Sequence, residues 1–74
     1  MKEYDCVQLI VDKKRYAESR IYKGMYGTIV LPECKNGAWE VEFHGVEPWY
    51  DEKGLFQCGI ISVKEEDLLL IKEY

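Results

Sequence analysis

Seventy-four residues, 47% of them apolar and 14% aromatic, make a single domain spanning residues 1–74 and leave no room for a second core. That composition excludes a disordered chain, and no apolar run approaches the roughly 18 residues of a membrane span. Ten Lys and Arg against fourteen Asp and Glu give a net charge of -4, which argues against general nucleic-acid affinity, because neutralising phosphates needs surplus cations.

The chain begins Met1-Lys2-Glu3-Tyr4-Asp5, carries both charge signs there and leads straight into a strand, so it does not read as a secretory signal and the expected location is cytoplasmic. Cys6 to Val11 is almost continuously apolar and suits a first strand. Asp12 to Tyr22 is polar and irregular, with at most one helical turn around Tyr16-Ala17-Glu18-Ser19. Lys13, Lys14, Arg15, Arg20 and Lys23 crowd this connection. Gly24 and Gly27 are expected to bracket a turn, where glycine accepts positive φ at little cost.

Thr28 to Leu31 reads as the second strand, ended by Pro32. Asn36-Gly37 is a type I′ hairpin signal, and Ala38 to Phe43 alternates strictly, with Trp39, Val41 and Phe43 on one face and Glu40 and Glu42 on the other. A long loop, His44 to Gly54, precedes a fourth strand from Leu55 to Val63 that bends at Gly59. Ser62 and Glu65 match a capping box and permit a helix there. A one-turn 3₁₀ segment followed by a short strand is favoured instead, because an open sheet edge needs closing.

The cysteines, Cys6, Cys34 and Cys58, are odd in number and far apart, so they read as reduced thiols and not as a disulfide framework. With His44 they supply metal-ligand types but no close pair of the Cys-x-x-Cys kind, and no cofactor is expected. No nucleophile elbow or phosphate-binding glycine loop accompanies the lone histidine, so an enzyme is not expected.

Asp5-Cys6-Val7-Gln8-Leu9, Tyr22-Lys23-Gly24-Met25-Tyr26-Gly27-Thr28-Ile29-Val30, Gly37-Ala38-Trp39-Glu40-Val41-Glu42-Phe43 and Asp67-Leu68 resemble a bacterial family of short SH3-like barrel proteins of unknown function. The resemblance implies a small five-stranded SH3-like antiparallel barrel with a short 3₁₀ turn before the last strand. Its turn is also similar to a translation-associated Gly-x-x-Gly-x-Val motif, whose usual basic surface is missing here. The acidic aromatic segment from Glu47 to Phe56 departs from the family pattern.

Glu47, Trp49, Tyr50, Asp51 and Glu52 are therefore the candidate partner-binding residues: rigid rings beside carboxylates, suited to a protein with a basic surface. Such a module fits an immunity or antitoxin-like role by analogy. The competing expectation is that Trp49 or Phe56 plugs the end of the barrel. An RNA- or ribosome-associated barrel using Lys13, Lys14, Arg15, Arg20 and Lys23, with Tyr16 and Tyr22 for stacking, is the alternative. The two charge runs read either as separate solvated faces or as a dipolar surface that orients one partner. Monomer and edge-paired homodimer both remain open.

Overall fold

Alternation governs the first strand, β1 (Cys6–Leu9), in which Val7 and Leu9 are fully buried and Cys6 and Gln8 half-buried. The computed structural model describes all 74 residues. After β1 come one helical turn, α1 (Lys14–Ala17), and the strands β2 (Tyr26–Ile29), β3 (Ala38–Phe43), β4 (Trp49–Tyr50), β5 (Phe56–Gln57) and β6 (Ile60–Lys64). A 3₁₀ turn over Glu65–Asp67 leads into β7 (Leu68–Lys72), as the tail reading anticipated, and the capping-box helix does not form.

Five strands build one antiparallel sheet in the order β6-β3-β2-β1-β7, while β4 and β5 pair separately as a hairpin. The chain is thus all-β, but its sheet is not closed into a barrel by strand pairing. At the β6 edge the α1 turn takes the place of a neighbouring strand. Arg15 donates to the Ser62 carbonyl, and the Lys64 N–H donates to the Tyr16 hydroxyl at 3.3 Å.

The Asn36-Gly37 turn forms as anticipated. Both residues take positive φ, 52° and 77°, and Lys35 and Ala38 exchange two 2.9 Å hydrogen bonds across it. Trp39, Val41 and Phe43 go into the core and Glu42 faces solvent, so the strict alternation of β3 is realised. Two glycine expectations change. Gly27 is not a turn residue but lies inside β2, where an added Cβ would stand 2.6 Å from Val41 Cγ1. At Gly59, φ is +82° and the backbone breaks the expected fourth strand in two, leaving β5 on the hairpin and β6 on the main sheet.

The core joins Val7, Leu9, Ile29, Trp39, Val41, Phe43, Val63 and Leu68 from the sheet with Tyr16 and Ile21 from the basic connection. Each fully buried aliphatic side chain contributes about 1.5–3 kcal/mol. Tyr16, only 1% exposed, is therefore packed inside and is not a surface ring for stacking on a base. Two carboxylates are buried with it. Asp5 accepts hydrogen bonds from the N–H of Lys2 and of Tyr74 and from Lys2 Nζ. Asp67 accepts from Tyr16 Oη at 2.6 Å and Lys13 Nζ at 2.8 Å. No helix is long and apolar enough to cross a membrane.

Candidate functional site

The loop after β3 folds into a hairpin because Asp51 organises it. Its Oδ1 accepts the N–H groups of Lys53 and Leu55, both at 2.9 Å, and its Oδ2 accepts from Gln57 Nε2 at 3.0 Å. Asp and Asn side chains commonly stabilise turns by capturing backbone donors two or more residues ahead. Asp51 is thus internal scaffolding. The turn sets Tyr50 opposite Phe56, and their rings meet edge to face with centroids 5.4 Å apart.

These rings stand on the surface. Tyr50 is 71% exposed, Leu55 58% and Phe56 56%, so Phe56 does not plug the sheet. Trp49 alternates to the other side and is half-buried, with the Arg20 guanidinium 3.9 Å from its ring centroid. It is neither core nor freely presented. A guanidinium stacked on an indole face is attracted by the ring quadrupole and shields the ring from water. The indole N–H has no protein acceptor. Glu47 and Glu52, the remaining members of the expected set, are exposed.

The basic connection and the acidic loop, distant in sequence, form one place in space. Arg15, Glu18 and Ser19 face Trp49, Glu52 and Leu55 across an open cleft of about 520 Å³ lined mostly by polar side chains. At this cleft the two charge runs meet, through Arg15 on one side and Asp51 and Glu52 on the other. Three of the five basic groups of the connection, Lys13, Lys14, Arg15, Arg20 and Lys23, are engaged within the chain: Lys13 on Asp67, Arg15 on Ser62 and over the Tyr16 ring, and Arg20 over Trp49. Lys14 and Lys23 are exposed.

Elsewhere, the His44 ring nitrogen Nε2 lies 2.9 Å from Thr28 Oγ1, and His, Cys, Asp and Glu side chains nowhere gather in threes that could hold a metal ion. Cys6 and Cys58 are half-buried free thiols and Cys34 is an exposed one. Sequence reasoning missed Leu55 and Phe56 as surface residues and Asp67 as the buried partner of Lys13 and Tyr16. For the first two a signal exists: Asp51 and Gly54 frame a turn between two short apolar runs, Trp49-Tyr50 and Leu55-Phe56. For Asp67 the only signal is its place in the Asp67-Leu68 pair of the family resemblance, which says nothing of its partners, since it stands in a run with Glu65 and Glu66.

The titrating groups that hold this region together have a defined pH window. N–H donation by Leu55, followed by the bonds from Gln57 and Lys53, holds the Asp51 carboxyl below its ordinary value. The Tyr74 N–H, then Lys2, does the same for Asp5. At Asp67 burial pushes upward, but bonds from Lys13 and Tyr16 outweigh it and the net direction is down. Carboxyls depressed on folding stabilise above their unfolded value near 3.8 and lose that contribution as pH falls through it toward the folded values.

At the alkaline end, burial and then the bond to Asp67 raise the Tyr16 phenol, so the unfolded phenol ionises first and folding weakens above its ordinary value of 10.0. Lys13, raised chiefly by its bond to Asp67, stabilises below its ordinary value of 10.5 and loses this as pH climbs through its folded value. Melting temperature is expected to be flat from about pH 5 to about pH 9 and to fall on both sides. A Tm unchanged down to pH 2.5, an acidity at which unfolded carboxyls are protonated, would show that these carboxylates do not stabilise the fold.

No protein-family model, curated protein or solved structure matches this chain.

Proposed function

We propose that the chain is a small, non-enzymatic SH3-like module that binds another protein through the face of the β4–β5 hairpin. One observation carries this reading: Tyr50 and Phe56 form an exposed aromatic pair on a hairpin braced from within by Asp51. Rigid aromatics cost little side-chain entropy on binding and dominate interface energetics. The exposed carboxylates Glu47 and Glu52 stand on either side of Tyr50 in the chain, which favours a partner with an apolar spot among basic groups. An immunity partner that covers a basic toxin surface is the form of this role that fits the chemistry. The strand order, with a 3₁₀ turn leading into a last strand paired to the first, supports the SH3-like reading.

The test is the double variant Tyr50→Ala/Phe56→Ala. Both rings lie outside the core, so circular dichroism and Tm are expected to stay close to the parent. Capture of a basic partner is expected to fall by at least about 30-fold, since each central aromatic of a contact contributes about 1–2 kcal/mol. Binding that persists in the folded double variant places the contact elsewhere. If single-stranded RNA binds at low salt and loses affinity in Lys14→Ala/Lys23→Ala, the nucleic-acid reading takes precedence.

A further inference from the structure

Little joins the β4–β5 hairpin to the rest of the domain. Residues 45–58 make hydrogen bonds only among themselves: β4 pairs with β5, and Asp51 collects the donors of Lys53, Leu55 and Gln57. Neither ion pair of the chain involves them. What reaches across is apolar packing and one stacked cation. Val46 packs against the core beside Gly59, where an added Cβ would stand 3.1 Å from the Val46 Cβ. Arg20 lays its guanidinium over the Trp49 ring, 3.9 Å from the centroid.

Arg20 stands where the backbone favours glycine. Its N–H donates to the Ala17 carbonyl at 2.9 Å and the Ile21 N–H to the Tyr16 carbonyl at 3.0 Å. These two bonds close the α1 turn through a left-handed residue, the position glycine usually fills, and the φ of Arg20 is +63°. A side chain is strained there, so what arginine adds is the stack on Trp49. The docked hairpin carries a cost of its own: the Trp49 indole N–H is buried without an acceptor, and contact with water relieves it. Docked and undocked hairpins are therefore separated by a small number of weak terms.

We propose that the β4–β5 hairpin opens as a unit, short of global unfolding, and that Arg20, stacked on Trp49, sets how often it does so. A lone two-stranded hairpin is marginal in water, so undocking also releases its internal bonds. The five-stranded sheet shares no hydrogen bond with residues 45–58 and stays folded meanwhile. Because the Tyr50–Phe56 pair exists only in the formed hairpin, Arg20 acts as a positioning residue for that face, through Trp49. This last consequence rests on the partner-binding function, whereas the opening does not.

Hydrogen exchange on the full ¹⁵N-labelled chain, read by NMR without any partner, tests this. The N–H groups of Asp51 and Leu55 have their acceptors inside the hairpin, while those of Leu9 and Ile29 are bonded within the main sheet region. Relative to unstructured rates, the first pair is expected to exchange at least about tenfold faster than the second, through an opening little affected by low urea. Arg20→Gly is expected to speed the hairpin pair about threefold, as loss of a partly exposed cation–π contact allows. Leu9 and Ile29 are expected to be no faster, since glycine suits the left-handed backbone. Arg20→Lys, which keeps the charge without the planar stack, is expected to fall between parent and Arg20→Gly. Uncovering the indole alone would not move Asp51 or Leu55, because both are bonded within the hairpin.

Hairpin and sheet N–H groups that exchange together, with one urea dependence, overturn the proposal. So does an Arg20→Gly chain whose hairpin exchanges as in the parent, or one in which hairpin and sheet speed up alike. A chain that captures no basic protein removes the consequence for presentation and leaves the role of Arg20 in docking the hairpin standing.

Discussion

Tyr16→Ala is expected to unfold this domain at room temperature, whereas Tyr16→Phe leaves it folded but weakened. The ring is 1% exposed and packs with Ile21 against the sheet core. Removing a buried aromatic ring costs about 3–5 kcal/mol, and a core of this size rarely supplies more than about 3–5 kcal/mol in total. The hydroxyl has a separate role. It donates to Asp67 Oδ2 at 2.6 Å and accepts from the Lys64 N–H at 3.3 Å, so it ties α1 to both the β6 edge and the turn before β7. Losing it leaves a buried carboxylate short of one donor and an edge N–H without its acceptor, at about 1–3 kcal/mol.

Denaturant titration of the two variants separates packing from the hydroxyl bridge. A Tyr16→Ala protein as stable as the parent would mean that the α1 turn does not seal the sheet. Because Arg15 on α1 also forms one wall of the cleft beside the hairpin, loosening α1 by Tyr16→Phe is expected to weaken partner binding less than Tyr50→Ala/Phe56→Ala does.

Gly27→Ala is the second substitution expected to act strongly, although it adds one methyl group. The new Cβ would lie 2.6 Å from Val41 Cγ1, 2.8 Å from the Glu42 carbonyl oxygen and 3.2 Å from Phe43 Cδ1. The side chains can turn slightly, but the Glu42 carbonyl belongs to β3, which is paired on both sides, with β2 and with β6. Relief therefore requires the β2–β3 ladder to spread. Overpacking of this kind costs about 1–3 kcal/mol, a large share of the stability of so small a domain. Gly54→Ala is the contrasting case: nothing lies within 4 Å of its added Cβ, so its cost is only that of a side chain at φ +78°, about 1–2 kcal/mol. A Gly27→Ala protein that melts with the parent would show that the close approach of β2 to β3 at Gly27 is wrong.

What was legible in the amino-acid sequence is what depends on near neighbours in the chain. The alternation of Trp39, Val41 and Phe43 assigns their faces because strand side chains repeat every second residue. Asn36-Gly37 sets its turn because both positions need positive φ. The acidic turn before a short last strand was legible for the same kind of reason, since Glu65–Asp67 interrupts two apolar runs. The candidate hairpin was half legible: Tyr50 and the exposed carboxylates were expected and an inward Trp49 was the competing expectation, while the turn-bracing role of Asp51 was not.

Only the tertiary structure decided which polar groups are spent. Tyr16 and Asp67 meet across 51 intervening steps of sequence, and Arg20 reaches Trp49 from a different connection. No local pattern distinguishes Tyr16 from Tyr22, or Asp67 from Glu66, because burial and hydrogen bonding are settled by how strands stack into one sheet. The same holds for sheet closure. Local propensity produced the strands, but the α1 turn took the β6 edge through Arg15 and Tyr16, and β7 was left open on its outer side.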